Sequence, residues 1–160
     1  MSSNEGGSSK VSAFSLAEES PSIPSQNEKE CLEFKNNILN LLGTNGFKID
    51  DQFIKEHIYN DRDKDLIAYK EDSDFLICCK YRQIRNIGFN DVERVSSVAK
   101  NFNSQGVIVT TTGYSKNAKS QAKHLNVILS RQSNIIEKLE THIEKESEKK
   151  EMDIIYDILN

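Results

Sequence analysis

Residues 106–112 read GVIVTTT, and this nearly continuous β-branched run constrains the fold more than any other stretch of the chain. Such a run is typical of a strand that is covered on both faces. A helical pattern precedes it, with Asn90 as the predicted N-cap and Glu93 as its capping-box partner. A second helix, predicted over residues 115–125, leads to a strand at 126–130. Strands that alternate with helices in this way predict a parallel pair.

The preceding part of the chain predicts a β-hairpin. Residues 65–70 and 74–80 are strand-like, and the polar sequence EDSD joins them. A helix over about residues 30–42 and a short strand at 46–50 come first, whereas residues 50–64 fit either a strand or a helical turn. The order α-β-β-β-α-β-α-β predicts an α/β fold, with a mixed sheet flanked by helices on both faces.

The two ends of the chain differ from this middle part. Residues 1–30 hold both prolines, many serines and few large apolar side chains, which predicts a disordered tail. Residues 31–131 form the predicted domain, and residues 132–160 form a C-terminal helical extension. This extension, helical from residue 133, either packs on the domain or meets a partner helix or a second copy of the chain. The sequence leaves these alternatives open.

The compartment follows from what the sequence lacks. It has no signal-peptide core, no transit-peptide pattern and no apolar run of membrane-spanning length. Its three cysteines, two of them adjacent, do not make a disulfide framework and suit a reducing compartment. We therefore expect an intracellular protein, cytoplasmic or nuclear, that is not secreted and does not enter a membrane.

The stretch FLICCKYR (75–82) ends an apolar strand in a positive charge. Strand alternation puts Cys78 and Lys80 on one face and Cys79 in the core on the other. Asp65 begins the neighbouring strand, so its carboxylate and the Lys80 ammonium can meet at one corner of the sheet. Metal-assisted phosphodiester hydrolysis uses such an arrangement, but so does an ordinary surface ion pair.

Two cysteine-based sites are weaker alternatives. A zinc or disulfide site would need further ligands, because the side chains of adjacent residues diverge in a strand and no CxxC pair accompanies them. A thiol nucleophile at Cys78, paired with His57 or His124, stays open, since Lys80 could lower the pKa of the thiol.

Four stretches, in this order, resemble the Mrr-like (type IV restriction endonuclease) branch of the PD-(D/E)xK nuclease superfamily. They are FKNNILNLLGTNGF (34–47), NDRDKDLIAY (60–69), FLICCKYR (75–82) and GVIVTTTGYSKNAKSQAKHLNVIL (106–129). The resemblance implies a restriction-endonuclease-like fold, DNA as the partner and Mg²⁺ or Mn²⁺ as the cofactor. It also implies that Asp65 is a metal ligand and Lys80 the catalytic lysine, with the backbone carbonyl of Cys79 as a second ligand.

The chain departs from the family pattern at three places. Cys78 stands where the family usually has Glu or Gln, and a thiol is a soft ligand poorly suited to Mg²⁺. Lys35 stands where some members carry a glutamate, and residues 62–64 replace the usual glycines. Two functions therefore remain. One is a metal-dependent endodeoxyribonuclease with a partly degenerate site, assisted by Asp61 or Asp63; the other is a catalytically inactive DNA-binding or protein-interaction module.

The charge is distributed unevenly along the chain. Residues 80–131 carry nine basic and two acidic groups, a net charge of +7, against −11 for the rest. A basic surface attracts phosphate, although an uneven solvated surface is the usual reason for such runs. Beside a nuclease-like motif, we predict contacts to DNA phosphates from five side chains: Arg82, Arg85, Lys116, Lys119 and Lys123.

Overall fold

The computed structural model describes residues 25–50 and 63–160. Its elements, in chain order, are α1 (Gln26–Thr44), β1 (Lys48–Ile49), β2 (Asp63–Lys70), β3 (Ser73–Lys80), α2 (Phe89–Asn101), β4 (Gln105–Thr110), α3 (Lys116–Leu125), β5 (Ile128–Arg131) and α4 (Ile135–Leu159). This architecture confirms the predicted mixed α/β fold. Most of the ambiguous stretch 50–64, with His57 and Asp61, lies outside the described residues.

The five strands of the described part form one sheet in the order β1-β2-β3-β4-β5. β1, β2 and β3 pair antiparallel, whereas β3, β4 and β5 pair parallel. The antiparallel hairpin and the parallel β4–β5 pair were predicted, whereas the pairing of β3 with β4 was not. In the hairpin, Lys70 pairs with Ser73 across a two-residue turn in which Glu71 has a φ of 55°. The same register puts Asp65 opposite Cys78 and Asp63 opposite Lys80.

Helices cover both faces of the sheet. On one face, which we call the apolar face, α1 and α4 pack against alternate residues of β3. This cluster includes Phe34, Ile38 and Leu42 of α1, Ile135, Leu139 and Ile143 of α4, and Phe75, Ile77 and Cys79 of β3. On the other face α2 and α3 pack through Val92, Val95, Ala118 and Ala122 against Cys78 and Ile108. The predicted alternation of β3 is therefore confirmed.

Helix α2 lies close to the sheet because a glycine faces it. A Cβ atom at Gly106 would lie 3.3 Å from Cγ1 of Val95 and 3.4 Å from Cβ of Ala99. Such distances are tighter than most real Cβ contacts, so a larger residue would push α2 away. The position of α2 matters because this helix supplies two of the charged groups described below.

Two predicted helix starts are wrong. Helix α1 begins at Gln26, where the Ser25 hydroxyl and the Glu28 carboxylate form a capping box, so residues 26–30 are not part of a disordered tail. Helix α2 is capped at Gly88 and not at Asn90, because the Gly88 N–H donates to the Asp91 carboxylate. The prediction chose Asn90 for its side chain, whereas the carboxylate three residues after Gly88 completes the turn. The rest of the predicted tail, residues 1–24, lies outside the described residues.

The predicted C-terminal extension divides into two parts. Helix α4 is continuous over 25 residues, and its first half packs into the core of the apolar face. From residue 144 onward every side chain is exposed, including Ile154, Ile155, Ile158 and Leu159. The predicted contact of this end with a partner helix or a second copy stays a prediction. No helix in the described part of the chain has the length and hydropathy needed to cross a membrane.

Candidate functional site

Asp65 lies near the start of β2 with its side chain completely buried. Its two carboxylate oxygens face the guanidinium of Arg94 on α2. Nη1 of Arg94 lies 3.3 Å from Oδ2 of Asp65, and Nη2 lies 3.4 Å from Oδ1. Two nitrogens thus meet two oxygens, which is the paired geometry that a planar guanidinium favours.

Cys78 lies directly opposite Asp65 and touches the same guanidinium. Nη2 of Arg94 lies 3.1 Å from the Cys78 sulfur. Burial raises the pKa of the Cys78 thiol well above its ordinary value, and the nearby Asp65 carboxylate raises it further. The thiol is therefore neutral at physiological pH. This is the opposite of an activated cysteine, which removes the support for a Cys78 nucleophile.

Lys80 is buried at the end of β3, and its partner also comes from α2. Its Nζ atom lies 3.3 Å from Oδ1 of Asp91. The second oxygen of Asp91 accepts the hydrogen bond from the Gly88 N–H, at 3.0 Å. One carboxylate thus both caps α2 and pairs with the buried lysine. We call Asp65, Cys78, Lys80, Asp91 and Arg94 the charged cluster.

The structure brings three of the predicted site residues to one place. Asp65, Cys78 and Lys80 lie on paired strands at the predicted corner of the sheet, and α2 supplies a partner for each ion. Cys79 lies on the opposite face, and burial raises the pKa of its thiol to about 12. Its side chain therefore faces the core, which leaves only its backbone carbonyl for the predicted metal role.

The prediction missed Asp91 and Arg94. They stand three positions apart on α2, so they project from the same side of the helix, which faces the sheet. The signal was the aspartate three residues after Gly88, which marks the true start of α2. Glu93, the predicted cap partner, instead accepts a hydrogen bond from the Gln121 amide of α3 at 3.2 Å.

A divalent metal does not fit the charged cluster in this arrangement. Both oxygens of Asp65 are held by Arg94, and Cys78 offers a neutral, soft thiol in place of a hard oxygen. Within residues 25–50 and 63–160, no group of three or more His, Cys, Asp or Glu residues is arranged to hold a metal ion. The predicted assistance by Asp61 or Asp63 falls outside the side chains that are described.

The predicted DNA contacts divide into two groups. Arg82 and Arg85 lie in the loop that follows β3, and Lys116 begins α3 just after the loop that follows β4. Lys119 and Lys123 are exposed further along α3, and Lys123 is about 10 Å beyond Lys116 along the helix axis. The described loops also bring in a residue that was not predicted, Arg131, because Gly113 lies beside its guanidinium.

Hydrogen bonds hold these two loops together. The Thr111 hydroxyl bridges the backbone N–H and C=O of Arg82, and the Thr112 hydroxyl donates to the C=O of Arg85. Ile87 and Tyr114 form a parallel bridge between the loops. Residues 81–88, 111–116 and Arg131 lie at the carboxyl-terminal ends of strands β3, β4 and β5, and we call them the carboxyl edge. The hydrogen bonds and the bridge thus connect the backbone segments that carry its basic side chains.

The chain is similar to several known proteins in sequence or in fold. The family model of the restriction endonuclease (Mrr catalytic) domain matches residues 28–139. Among solved structures, the chain resembles a protein of unknown function, AF1548, with 21% identity and a TM-score of 0.50. It also resembles the DNA modification-dependent restriction endonuclease AspBHI, with 18% identity and a TM-score of 0.40.

The matches to solved structures cover only parts of both partners. The first covers 64% of this chain and 59% of AF1548, and the second covers 78% of this chain and 41% of AspBHI. This chain thus spans less than two thirds of either protein. A search among curated proteins found no match. At these identities the structural likeness concerns the fold alone, whereas the family model matches most of the chain.

Proposed function

Because this chain belongs to the Mrr catalytic-domain family of restriction endonucleases, we propose that it binds DNA at its carboxyl edge without cleaving it. It is a nuclease fold that retains a phosphate-binding surface and has lost the metal centre. The observation that carries this proposal is the pairing of both Asp65 oxygens with Arg94. The alternative, cleavage with Mg²⁺ or Mn²⁺, is the outcome that the assay below would reveal.

The loss of cleavage follows from the electrostatics of the charged cluster. A metal ion would have to displace the guanidinium from a fully buried carboxylate. Separating such a pair costs free energy, because each charge is left without its partner in a poorly solvated place. The Glu or Gln that the family usually has at position 78 is also missing, and a neutral Cys78 thiol adds no negative charge to attract the metal. Hydrolysis that depends on a metal at Asp65 is therefore disfavoured.

The carboxyl edge supports DNA binding. Arg85 and Arg131 are exposed there, and Lys116 is exposed at the first turn of α3. These three cations, at a loop, a helix start and a strand end, can each neutralise a phosphate and release counterions, which gives sequence-independent, salt-sensitive affinity. The backbone N–H groups at the start of α3 add a favourable dipole for an anion. The net charge of +7 over residues 80–131 points the same way.

The binding half is tested with an edge variant, Arg85→Ala/Lys116→Ala, and a matched control, Lys145→Ala/Lys149→Ala, on the exposed part of α4. Fluorescence anisotropy with a labelled duplex, over a series of salt concentrations, measures the affinity. The edge variant should bind roughly tenfold more weakly and lower the salt slope by about 2, because two phosphate contacts are lost. The control should match the wild type. Equal affinities for all three proteins would show that the edge is not the binding surface.

The cleavage half is tested by plasmid nicking with Mg²⁺ or Mn²⁺. Wild type, Asp65→Ala and Lys80→Ala should give the same background, because no metal-dependent hydrolysis takes place at the charged cluster. Nicking by the wild type that both substitutions abolish would show that the site is an active nuclease. That result would leave DNA binding at the carboxyl edge unaffected, so the proposed binding and the proposed loss of cleavage are tested independently.

A further inference from the structure

We infer that the Arg94 guanidinium occupies the position of a metal ion beside Asp65. We also infer that Cys78 stabilises this arrangement because it adds no negative charge. The inference deepens the proposed function and rests on its claim that the site does not hold a metal. It assigns Arg94 a role as the structural cation of the charged cluster, anchoring α2 to the sheet. It also identifies two substitutions that together would restore a divalent-cation site.

The charges at the site balance with Arg94 in place. Among the side chains that are described there, Asp65 and Asp91 are negative, Lys80 and Arg94 are positive, and a cysteine thiol such as that of Cys78 ordinarily carries no charge at neutral pH. A glutamate at position 78 would add a negative charge to this buried group. The single positive charge of a guanidinium would then leave the group with a net negative charge, whereas a divalent cation in its place would restore neutrality. A neutral residue at position 78 therefore matches a guanidinium.

The geometry of Arg94 is that of a fixed ligand. Its two terminal nitrogens contact both oxygens of Asp65, and Nη2 also contacts the sulfur of Cys78. The helix that carries it is held against the sheet at Gly106 by the neighbouring Val95 and Ala99. The planar guanidinium is pre-organised, so less side-chain entropy is lost for each hydrogen bond that it forms, which favours a permanent contact. The Arg94 side chain is one-third exposed, so it closes the site from the solvent side.

The same contacts predict what a single substitution would do. In Cys78→Glu, the new carboxylate would stand beside Nη2 of Arg94 and pair with it. The guanidinium would then share its single charge between two carboxylates and would still occupy the space between them. Cys78→Glu alone should therefore not create a metal site, although it restores a residue that the family usually has at this position. Only the additional removal of the guanidinium leaves two buried carboxylates for a metal.

The first experiment measures thermal unfolding without metal or DNA. Arg94→Gln should lower the Tm by about 10 °C, because the buried Asp65 carboxylate loses its counter-charge. Asp65→Asn/Arg94→Gln should recover much of that loss, since the uncompensated charge is gone. Lys100→Gln, an exposed basic residue on the same helix, serves as the matched control and should leave the Tm unchanged. A double variant that is no more stable than Arg94→Gln would overturn the inference.

The second experiment adds MnCl₂ at millimolar concentration. The Tm of Cys78→Glu/Arg94→Gln should rise, and calorimetry should show one binding site per chain. Wild type and Cys78→Glu should show neither effect. If the double variant is unfolded without metal, Mn²⁺ should restore its circular dichroism spectrum during refolding, and failure to do so would count against the inference. A Mn²⁺-dependent rise in the wild-type Tm would also overturn it.

These results are distinguishable from a failure of the proposed function. The Tm and calorimetry measurements involve no DNA, so a failed binding surface at the carboxyl edge leaves them unaffected. Conversely, wild-type binding of Mn²⁺ would remove the metal replacement but leave the salt-dependent DNA affinity as it is. Nicking by the wild type that Asp65→Ala and Lys80→Ala both abolish would contradict the claim of lost cleavage and the metal replacement together, whereas the DNA-binding surface would be unaffected.

Discussion

Cys78 and Cys79 are neighbours in the chain, yet they lie in opposite environments. Both are almost completely buried. Cys79 packs on the apolar face among Phe75, Ile77 and other hydrocarbon side chains, whereas Cys78 contacts the guanidinium of Arg94 beside the Asp65 carboxylate. The same residue type thus fills space on one face and completes a charged cluster on the other. The role of a buried cysteine in β3 therefore depends on the face of the strand from which its side chain projects, and not on its burial.

A carboxylate introduced at each cysteine tests this comparison with the largest expected effect. Cys79→Asp should lower the free energy of unfolding by at least about 4 kcal/mol, because a charge would enter an apolar core where Asp65 repels it and Lys35 is the nearby cation. Cys78→Asp should lose less than about half as much, since Arg94 and Lys80 are close enough to stabilise it. Urea unfolding followed by circular dichroism measures both. Cys79→Ala is the control, because it removes the thiol without adding a charge. Equal losses for the two aspartates would contradict the comparison.

The contrast between the faces was predictable because a strand has a fixed period. Residues two apart in β3 share a face whatever the rest of the chain does, so FLICCK by itself placed Cys79 in the core and Cys78 beside Lys80. The β-branched run of β4 likewise predicted a strand covered on both faces, and all of its residues from Gly106 to Thr110 are buried. These patterns are local, and with the hairpin and the helical connections they predicted a mixed sheet, although not the order of its strands.

The partners in the charged cluster were not predictable in the same way. Arg94 is 29 residues from Asp65 and 16 from Cys78, so their contact depends on how α2 crosses the sheet. That crossing is set by tertiary packing against Gly106, which no local period encodes. The sequence showed Arg94 only as one more charge in a basic stretch. The predicted start of α2 paired Asn90 with Glu93, whereas the true cap pairs Gly88 with Asp91, so the prediction did not include Asp91.

Alkaline pH should sharpen the comparison with a smaller effect. The thiol of Cys79 keeps its proton to about pH 12 in the folded state, whereas in the unfolded chain it ionises near its ordinary pKa of 9.0. A raised pKa stabilises the folded state fully below pH 9 and progressively less as the pH rises towards 12. The stability difference between wild type and Cys79→Ala should therefore shrink by about 1.4 kcal/mol between pH 7 and pH 10.

Cys78 provides the internal check on that measurement. Burial raises the pKa of its thiol as well, so Cys78→Ala should show a change in the same direction over the same pH range. The cations near Cys78 act against this rise without reversing it. The difference in free energy of unfolding between wild type and each variant could instead stay constant from pH 7 to pH 10. That result would mean that water reaches both thiols, and that neither face of the sheet is closed.

The smallest expected effect belongs to a charge pair at the rim of the apolar face. Nζ of Lys70 lies 2.8 Å from Oε2 of Glu140, a shorter distance than any in the Asp65–Arg94 pair. Both side chains are partly exposed, so water and salt screen their attraction. Lys70 is also held by the backbone C=O of Asn45 and lies over the Phe47 ring. Its position therefore depends little on Glu140.

Glu140→Gln should lower the free energy of unfolding by about 0.5 kcal/mol or less at low salt, and the loss should vanish in 1 M NaCl. A double-mutant cycle with Lys70→Met isolates the pair energy, and the same cycle on Asp65 and Arg94 provides the buried counterpart. The Asp65–Arg94 coupling should be several times larger and should persist in high salt, because one partner has no contact with solvent. If the rim pair proved as strong and as salt-resistant as the buried one, distance and not burial would set the energy of these pairs. The charged cluster would then be no more than a surface ion pair on the other side of the sheet.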